Sequence, residues 1–239
     1  MSRRSNPYFR FKQFTIFQDR CAMKVGTDGV LLGAWTDFTN TQTILDIGTG
    51  TGLVALMLAQ RSTAQIDAVE IDECSCIQAK ENIELSPWKE RIKVDNLSVQ
   101  DYTKSCSKRY NLIVSNPPFF ENAYKASEQS RTVARHTNFL SQVDLLNVSQ
   151  QLLEKEGRLA VIYPTDAANS FQKMAQEFGF FCNQKLFIKP TPNRSIKRIL
   201  MEFSQSQNNP SENTLTIEID RHIYTPEFID LVKDFYLKY

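Results

Sequence analysis

Apolar positions along this chain switch repeatedly between a strand-like and a helix-like period. Ile44, Leu45 and Ile47 form a short apolar run that ends at a cluster of glycines, and Leu53, Leu56, Met57 and Gln60 then recur at helical spacing. Residues 65 to 71 alternate as a second strand that ends around Glu70. A helix is expected over Asp72 to Leu85, with Ile77 and Ile83 turned inward and Ser86-Pro87 ending it. Ile92-Lys93-Val94 reads as a third strand, and the near-continuous apolar run from Tyr110 to Ser115 as a buried fourth. An amphipathic helix over Leu140 to Leu153 precedes Gly157, and Arg158 to Tyr163 is a fifth strand. A helix over Asp166 to Phe178 follows. Lys185 to Lys189 and Arg198 to Phe203 then make a last strand pair with a long basic tip, Pro190 to Lys197. After a polar loop, Thr214 to Asp220 alternates as an edge strand, and Thr225 caps a helix over Pro226 to Leu237.

Strands that alternate with helices predict a doubly wound α/β domain. The 239 residues, 41% hydrophobic and 23% charged, suit one such domain. It is expected to span 1–239, with an N-terminal segment (1–40), a core (41–205) and a C-terminal strand and helix (206–239).

Ahead of the core, Tyr8 to Phe17 interleaves aromatic with basic residues. That pattern is a strand pair with one apolar face, or a stripe on which bases stack while cations meet phosphate. In Lys24-Val25-Gly26-Thr27-Asp28-Gly29, either Thr27 or Asp28 is placed to cap a helix carrying Val30, Leu31 and Trp35 inward. Because this segment precedes the first core strand, it can fold over a pocket there, and Lys24 and Thr27 are candidate contacts.

Net charge is +1, so overall charge announces no nucleic-acid partner. Its distribution says more. Arg3, Arg4, Arg10, Lys12, Arg20 and Lys24 crowd the start, and Lys185, Lys189, Arg194, Lys197 and Arg198 crowd a later stretch, so one basic face is possible. Cys21, Cys74, Cys76, Cys106 and Cys182 contain no C-x-x-C pair and read as reduced thiols in a cytoplasmic chain. With His136 and His222 far apart, no metal site is expected. No segment resembles a signal peptide or membrane span.

The chemistry begins at Asp46-Ile47-Gly48-Thr49-Gly50-Thr51-Gly52. Glycines let the backbone turn sharply and let a ligand approach it. The spacing differs from the dinucleotide fingerprint and resembles motif I of the class I S-adenosylmethionine (SAM) methyltransferases. An acid beside the loop suits a cationic cofactor, and the resemblance places Asp46 toward the methionine end of SAM. Glu70, about twenty residues beyond the first glycine and at a strand tip, is where ribose hydroxyls are held in such folds. The resemblance also expects an adenine-binding residue after the third strand. Ser98 stands at that register, and Asp101 is the nearest acid downstream.

The fourth strand runs into Asn116-Pro117-Pro118-Phe119. The prolines fix the backbone, so the Asn116 side-chain carbonyl and a backbone carbonyl remain as acceptors for the two hydrogens of a flat amino group. Phe119 offers a ring for stacking. This turn resembles the (N/D)PP(Y/F) motif shared by N6-adenine and N5-glutamine methyltransferases. The pieces from Arg10 to Phe14 and from Lys24 to Trp35, together with Asn116 to Phe120 and Ala134-Arg135-His136, narrow the resemblance to the tRNA(Val) adenine-37 N6-methyltransferase family. It implies a Rossmann-like fold, with a seven-stranded, mostly parallel sheet whose last strand is antiparallel. It implies SAM-dependent N6-methylation of the adenine beside the anticodon of a valine tRNA; separately, the chain is expected to be a monomer. Asn116, Pro117 and Phe119 are then catalytic. Lys24, Thr27, Asp46, Gly48, Gly50, Gly52, Glu70, Ser98 and Asn116 hold the cofactor. Phe119, Phe120, Arg135, His136, Arg194 and Lys197 meet RNA.

A protein-glutamine N5-methyltransferase would use the same acceptors. Those enzymes usually carry a separate N-terminal helical domain and favour tyrosine at the position of Phe119. An rRNA N-methyltransferase and a non-catalytic RNA-binding module are the other readings, the last opposed by the intact Asp46, Gly48, Gly50, Gly52, Glu70 and Asn116.

Overall fold

A computed structural model of the protein describes residues 6–117 and 140–238. The chain opens on a small antiparallel hairpin, β1 (Tyr8–Arg10) and β2 (Thr15–Phe17). Helix α1 (Thr27–Trp35) follows. The core then alternates β3 (Thr43–Ile47), α2 (Leu53–Arg61), β4 (Gln65–Glu70), α3 (Glu73–Glu84), β5 (Ile92–Asn96), α4 (Val99–Ser105) and β6 (Tyr110–Ser115). Beyond residue 140 come α5 (Gln142–Leu152), β7 (Leu153–Pro164), α6 (Thr165–Glu177), β8 (Phe181–Lys189), β9 (Arg198–Ser204) and β10 (Ser211–Thr216). A second small hairpin, β11 (Glu218–Asp220) and β12 (Ile223–Tyr224), leads into α7 (Pro226–Val232).

The main sheet has the order β10-β8-β9-β7-β6-β3-β4-β5. All its strands run the same way except β9, which is antiparallel to both β7 and β8. The sheet therefore has eight strands where seven were expected. The additional one is β10, which pairs with β8 in parallel and is the edge strand foreseen after the polar loop.

Successive strand residues point to opposite faces, so the apolar runs fill two separate cores. Ile44, Leu112, Val114, Ala160 and Ile162 join α1, α2, α3 and α7 on one face. Leu45, Ile47, Ile113, Leu159 and Val161 join α4, α5 and α6 on the other. Part of the aromatic stripe of the N-terminal segment resolves as packing, while Tyr8 and Phe17 stay exposed. Phe11, Phe14 and Ile16 are buried, and Phe11 stacks on Phe14 and on Tyr236. The chain's first hairpin and last helix thus share one core.

Local expectations are met and corrected in turn. Asp72 caps α3 by accepting the N–H of Ser75, Ser141 and Asp144 form a reciprocal capping box on α5, and Thr225 caps α7 with Pro226 in its first turn. The cap expected from Thr27 or Asp28 is absent. Gly26 is the N-cap of α1 without any side-chain bond, because the helix already includes Thr27 and Asp28 in its first turn, where Asp28 is held by an ion pair. Ile77 is 40% exposed rather than inward; the buried face of α3 is carried by Cys76, Ala79 and Ile83. Cys74 is exposed and Cys76 buried, the different faces expected of positions two apart. The last helix ends at Val232, short of Leu237.

Candidate functional site

Strand order reverses between β3 and β6, and a ligand crevice opens beyond the carboxyl ends of strands at such a point. Ile47 of β3 pairs with Ser115 of β6, and the Ser115 hydroxyl donates to Ile47 O at 2.9 Å. The next residue on each strand, Gly48 and Asn116, therefore flanks the same crevice. Ile47 also pairs with Val69, which brings the end of β4 and Glu70 to its other side.

The glycine loop is built from positive φ. Gly48, Gly50 and Gly52 stand at +71°, +57° and +81°, a region that side chains resist. Around Gly48 and Gly50 nothing lies within 4 Å of where a Cβ would stand, so a ligand can reach the backbone there. The loop is secured from below. Gly48 and Thr49 donate their N–H groups to Val69 O at 2.9 and 3.2 Å. Asp46 is buried, and its Oδ2 accepts the Thr49 hydroxyl at 2.6 Å and the Ala55 N–H at 3.2 Å. Burial, opposed by those two bonds and aided by the charge of Glu70, pushes its carboxyl up to about 7. Asp46 thus satisfies one first-turn N–H of α2 from within.

Glu70 bridges two backbone donors, Gly50 N–H at 2.8 Å and Asp72 N–H at 2.9 Å. Its own carbonyl accepts from the Asn96 amide at 2.8 Å. Gly48, Glu70, Ile71, Leu97, Ser98 and Leu140 line a cleft beside the loop. Ile71 and Leu97 are exposed apolar side chains there, a flat-ring setting that sequence reading missed because each looks like a strand-end residue. Ser98 lines the cleft, but its hydroxyl also caps α4 by accepting Asp101 N–H at 3.0 Å. Asp101 points its carboxylate to Ser98 and Lys104 on the surface, which holds it below the usual carboxylate range. Of the two adenine-side candidates, Ser98 borders the cleft and Asp101 does not.

Across the crevice, Pro117 is buried and Asn116 half-buried. A Cβ on Gly29 would stand 3.0 Å from Leu53 and 3.8 Å from Asn116 Nδ2, so α1 presses a side-chain-free surface against both. The first turn of α1 is anchored by Asp28, whose Oδ2 accepts from Arg198 Nε at 2.7 Å. Thr27 is exposed in the first turn of α1, at the same carboxyl edge of the sheet. Lys24 is half-buried on a strap that Gln18 closes, its Oε1 accepting Val25 N–H at 2.8 Å and its Nε2 donating to Asn6 O at 3.0 Å.

A further residue not singled out in the sequence is Asn82 on α3, which is buried. Its Oδ1 accepts Phe17 N–H, and its Nδ2 donates to Phe17 O and to Thr51 O, all at 2.9 Å. It ties the N-terminal hairpin to the glycine loop. The only sequence signal is a polar residue beside Ile83 on an inward helix face.

Arg194 and Lys197 lie on the exposed β8–β9 connection, at the same carboxyl edge because β8 runs parallel to β6. Thr165 secures this connection by donating to Ile196 O at 3.0 Å. Phe119, Phe120, Arg135 and His136 lie outside the described residues. Among the described residues no group of three metal-ligating side chains occurs, and no helix is long and apolar enough to cross a membrane.

The sequence profile of the methyltransferase small domain matches residues 25–185. A tRNA1(Val) (adenine(37)-N6)-methyltransferase of Trichodesmium erythraeum is 62% identical over 234 residues, covering 97% of this chain and 98% of that protein. A predicted O-methyltransferase of Agrobacterium tumefaciens superposes with a TM-score of 0.67 at 19% identity, covering 87% of this chain and 96% of that one. A glycopeptide N-methyltransferase crystallised with SAM superposes at 0.53 and 11% identity, covering 77% and 100%. At such identities the two structures speak to the fold.

Proposed function

Because this chain belongs to the methyltransferase small domain family, and within it to the tRNA1(Val) (adenine(37)-N6)-methyltransferases, we propose that it methylates N6 of adenine 37 beside the anticodon of a valine tRNA. The observation that carries this reading is the pairing of Ile47 with Ser115, which sets the glycine loop and Asn116-Pro117 side by side. A cofactor-binding backbone and a pair of acceptors for an amino group then share one crevice.

The residues present fit SAM. Gly48 and Gly50 leave their backbone open to close approach, Asp46 and Glu70 supply negative charge for a cation and acceptors for hydroxyls, and Ile71 and Leu97 offer apolar surface beside Ser98 for a flat base. When bound, SAM supplies an electrophilic methyl group on a sulfonium. The rest is done by the protein. Asn116 Oδ1 and the Pro117 carbonyl accept the two hydrogens of the adenine amino group and direct its lone pair along the line of transfer. These acceptors gain strength as the nitrogen becomes positive, so they act by positioning and by stabilising developing charge. With SAM held by the glycine loop, the aligned amino nitrogen would take the methyl group while the sulfur kept the electron pair of the broken bond, and the nitrogen would then release one proton to solvent. No base is required before attack. The adenine must leave its stack to reach the crevice, which a single-stranded loop allows. Lys24 and Thr27, just before and at the start of the helix whose Gly29 faces Asn116, are assigned to the cofactor by sequence, and Phe119, Phe120, Arg135 and His136 to the RNA by sequence alone.

The test is methyl transfer to valine tRNA lacking the modification, with the product nucleoside identified by mass. Asn116→Ala is expected to bind SAM and lose about a hundred- to a thousand-fold in single-turnover rate, and Asn116→Asp to retain part of it. Methyl on a ring nitrogen, a ribose or a release-factor glutamine refutes the reading.

A further inference from the structure

The carboxyl edge of the sheet that carries the crevice extends past it to a rim that the reaction itself does not require. Beyond β10, the backbone of the second hairpin is stitched to the β8–β9 connection: Ile217 N–H donates to Lys189 O and Glu218 N–H to Pro190 O, both at 2.9 Å. The two segments therefore lie side by side at the carboxyl edge. From β6, where Asn116 ends its strand, the sheet runs through β7 and β9 to β8 and β10. At about 4.8 Å per strand the rim begins at β9, about 10 Å from the acceptors, and ends at β10, about 19 Å away. A nucleic acid with one base seated at Asn116 has its remaining nucleotides at such distances.

The hairpin's chemistry is unusual for plain surface. The register slips between Glu218 and Asp220, leaving Ile219 as a bulge residue, and bulges re-aim side chains. Ile219 and Ile223 are 56% and 57% exposed. Between them the tip carries Arg221 and His222, the latter at φ +64°. Arg198 is engaged by Asp28, whereas Arg194, Lys197 and Arg221 form no ion pair with another described residue. These three cations outnumber the acids Glu218 and Asp220 on the hairpin. Exposed apolar side chains among uncommitted cations match RNA with opened bases, since such side chains wedge against unstacked bases while cations meet phosphate.

We propose that the β8–β9 connection and the bulged β11–β12 hairpin form one docking surface for the RNA substrate, with Ile219 and Ile223 against opened nucleotides and Arg194, Lys197 and Arg221 on phosphates. The proposal rests on the tRNA reading above and deepens it. It is tested with full-length protein and valine tRNA by measuring affinity at several salt concentrations, with SAM affinity and sedimentation as controls. Ile219→Ser/Ile223→Ser is expected to weaken tRNA binding about tenfold with an unchanged salt slope. Arg194→Ala/Lys197→Ala is expected to weaken it and lower the slope by roughly 1.5 to 2, about one phosphate contact for each cation. Unchanged tRNA affinity in both variants overturns the surface, as does an isoleucine variant that alters only self-association, which would assign the patch to a second copy of the chain. If wild type makes no N6-methyladenine yet the variants lose RNA affinity, the functional reading fails and the surface stands.

Discussion

Asp46→Asn separates charge from hydrogen bonding beneath the glycine loop. In the wild type one carboxylate oxygen accepts the Thr49 hydroxyl at 2.6 Å and the Ala55 N–H at 3.2 Å, and burial holds the carboxyl at about 7. An asparagine oxygen accepts both donors, so the loop and the first turn of α2 keep their bonds. What disappears is the negative charge offered to a cationic cofactor, and bonds to charged groups are worth about 1.5–3 kcal/mol. SAM affinity at pH 8 is therefore expected to fall about 10- to 150-fold. The pH dependence follows the same group. One unit below its pKa only about a tenth of Asp46 is ionised, so wild-type affinity at pH 6 is expected to be about tenfold weaker than the plateau above pH 8. Asp46→Asn lacks this component, and measuring both proteins over the same range cancels the titration of SAM's own ammonium. For stability the sign is opposite. A carboxyl raised in the folded state costs nothing below its ordinary value and weakens the cofactor-free fold as pH rises from about 4 to 7. That loss is absent from the variant. Calorimetric titration of SAM from pH 6 to 8 and thermal melts over pH 4 to 8 are the measurements. Wild-type affinity in the variant at pH 8, or an undiminished pH dependence, refutes the assignment of Asp46 to the cofactor.

Two other perturbations read different parts of the structure. Glu70→Ala removes the bridge between Gly50 and Asp72 and should weaken SAM binding; because the Glu70 charge helps raise the Asp46 carboxyl, the variant's pH dependence should also move to lower pH, checked in the same calorimeter. Gly33→Ala puts a methyl 2.8 Å from Met57 Cβ and Sδ where α1 crosses α2, so the fold is expected to lose about 1–3 kcal/mol in denaturant titration.

The architecture was legible because strands and helices announce themselves by period, and because the glycines at 48, 50 and 52 and the prolines at 117 and 118 punctuate the strand ends. The edge strand expected over Thr214 to Asp220 was misplaced in its bounds: it begins at Ser211, because residues 211–213 are polar and exposed and resemble loop, and residues 218–220 belong to a separate hairpin. The cap on α1 was misread because Asp28 has the composition of a capping residue, whereas its partner, Arg198, lies far along the chain. Ile77 was placed inward by hydrophobicity alone, although inward positions on α3 go to Cys76, Ala79 and Asn82. Thr49 and Asn82 escaped notice for a related reason. Their importance comes from hydrogen bonds to Asp46, Phe17 and Thr51 that no local pattern encodes. The choice between Ser98 and Asp101 also needed three dimensions, because only the helix start at Val99 turns Asp101 away.

The shared core of the first hairpin and last helix sets a schedule for the nascent chain. Lys12 N–H donates to Phe235 O at 2.8 Å, and Lys12 Nζ reaches Lys233 O at 2.6 Å. Synthesis proceeds from the N-terminus, so residues 8–17 emerge well before residues 233–236 and meet Asn82 and Trp88 before that part of their packing is made. Asn82 links that hairpin to the glycine loop. A chain translated only through β10 therefore still lacks the segment that covers one side of its own first hairpin.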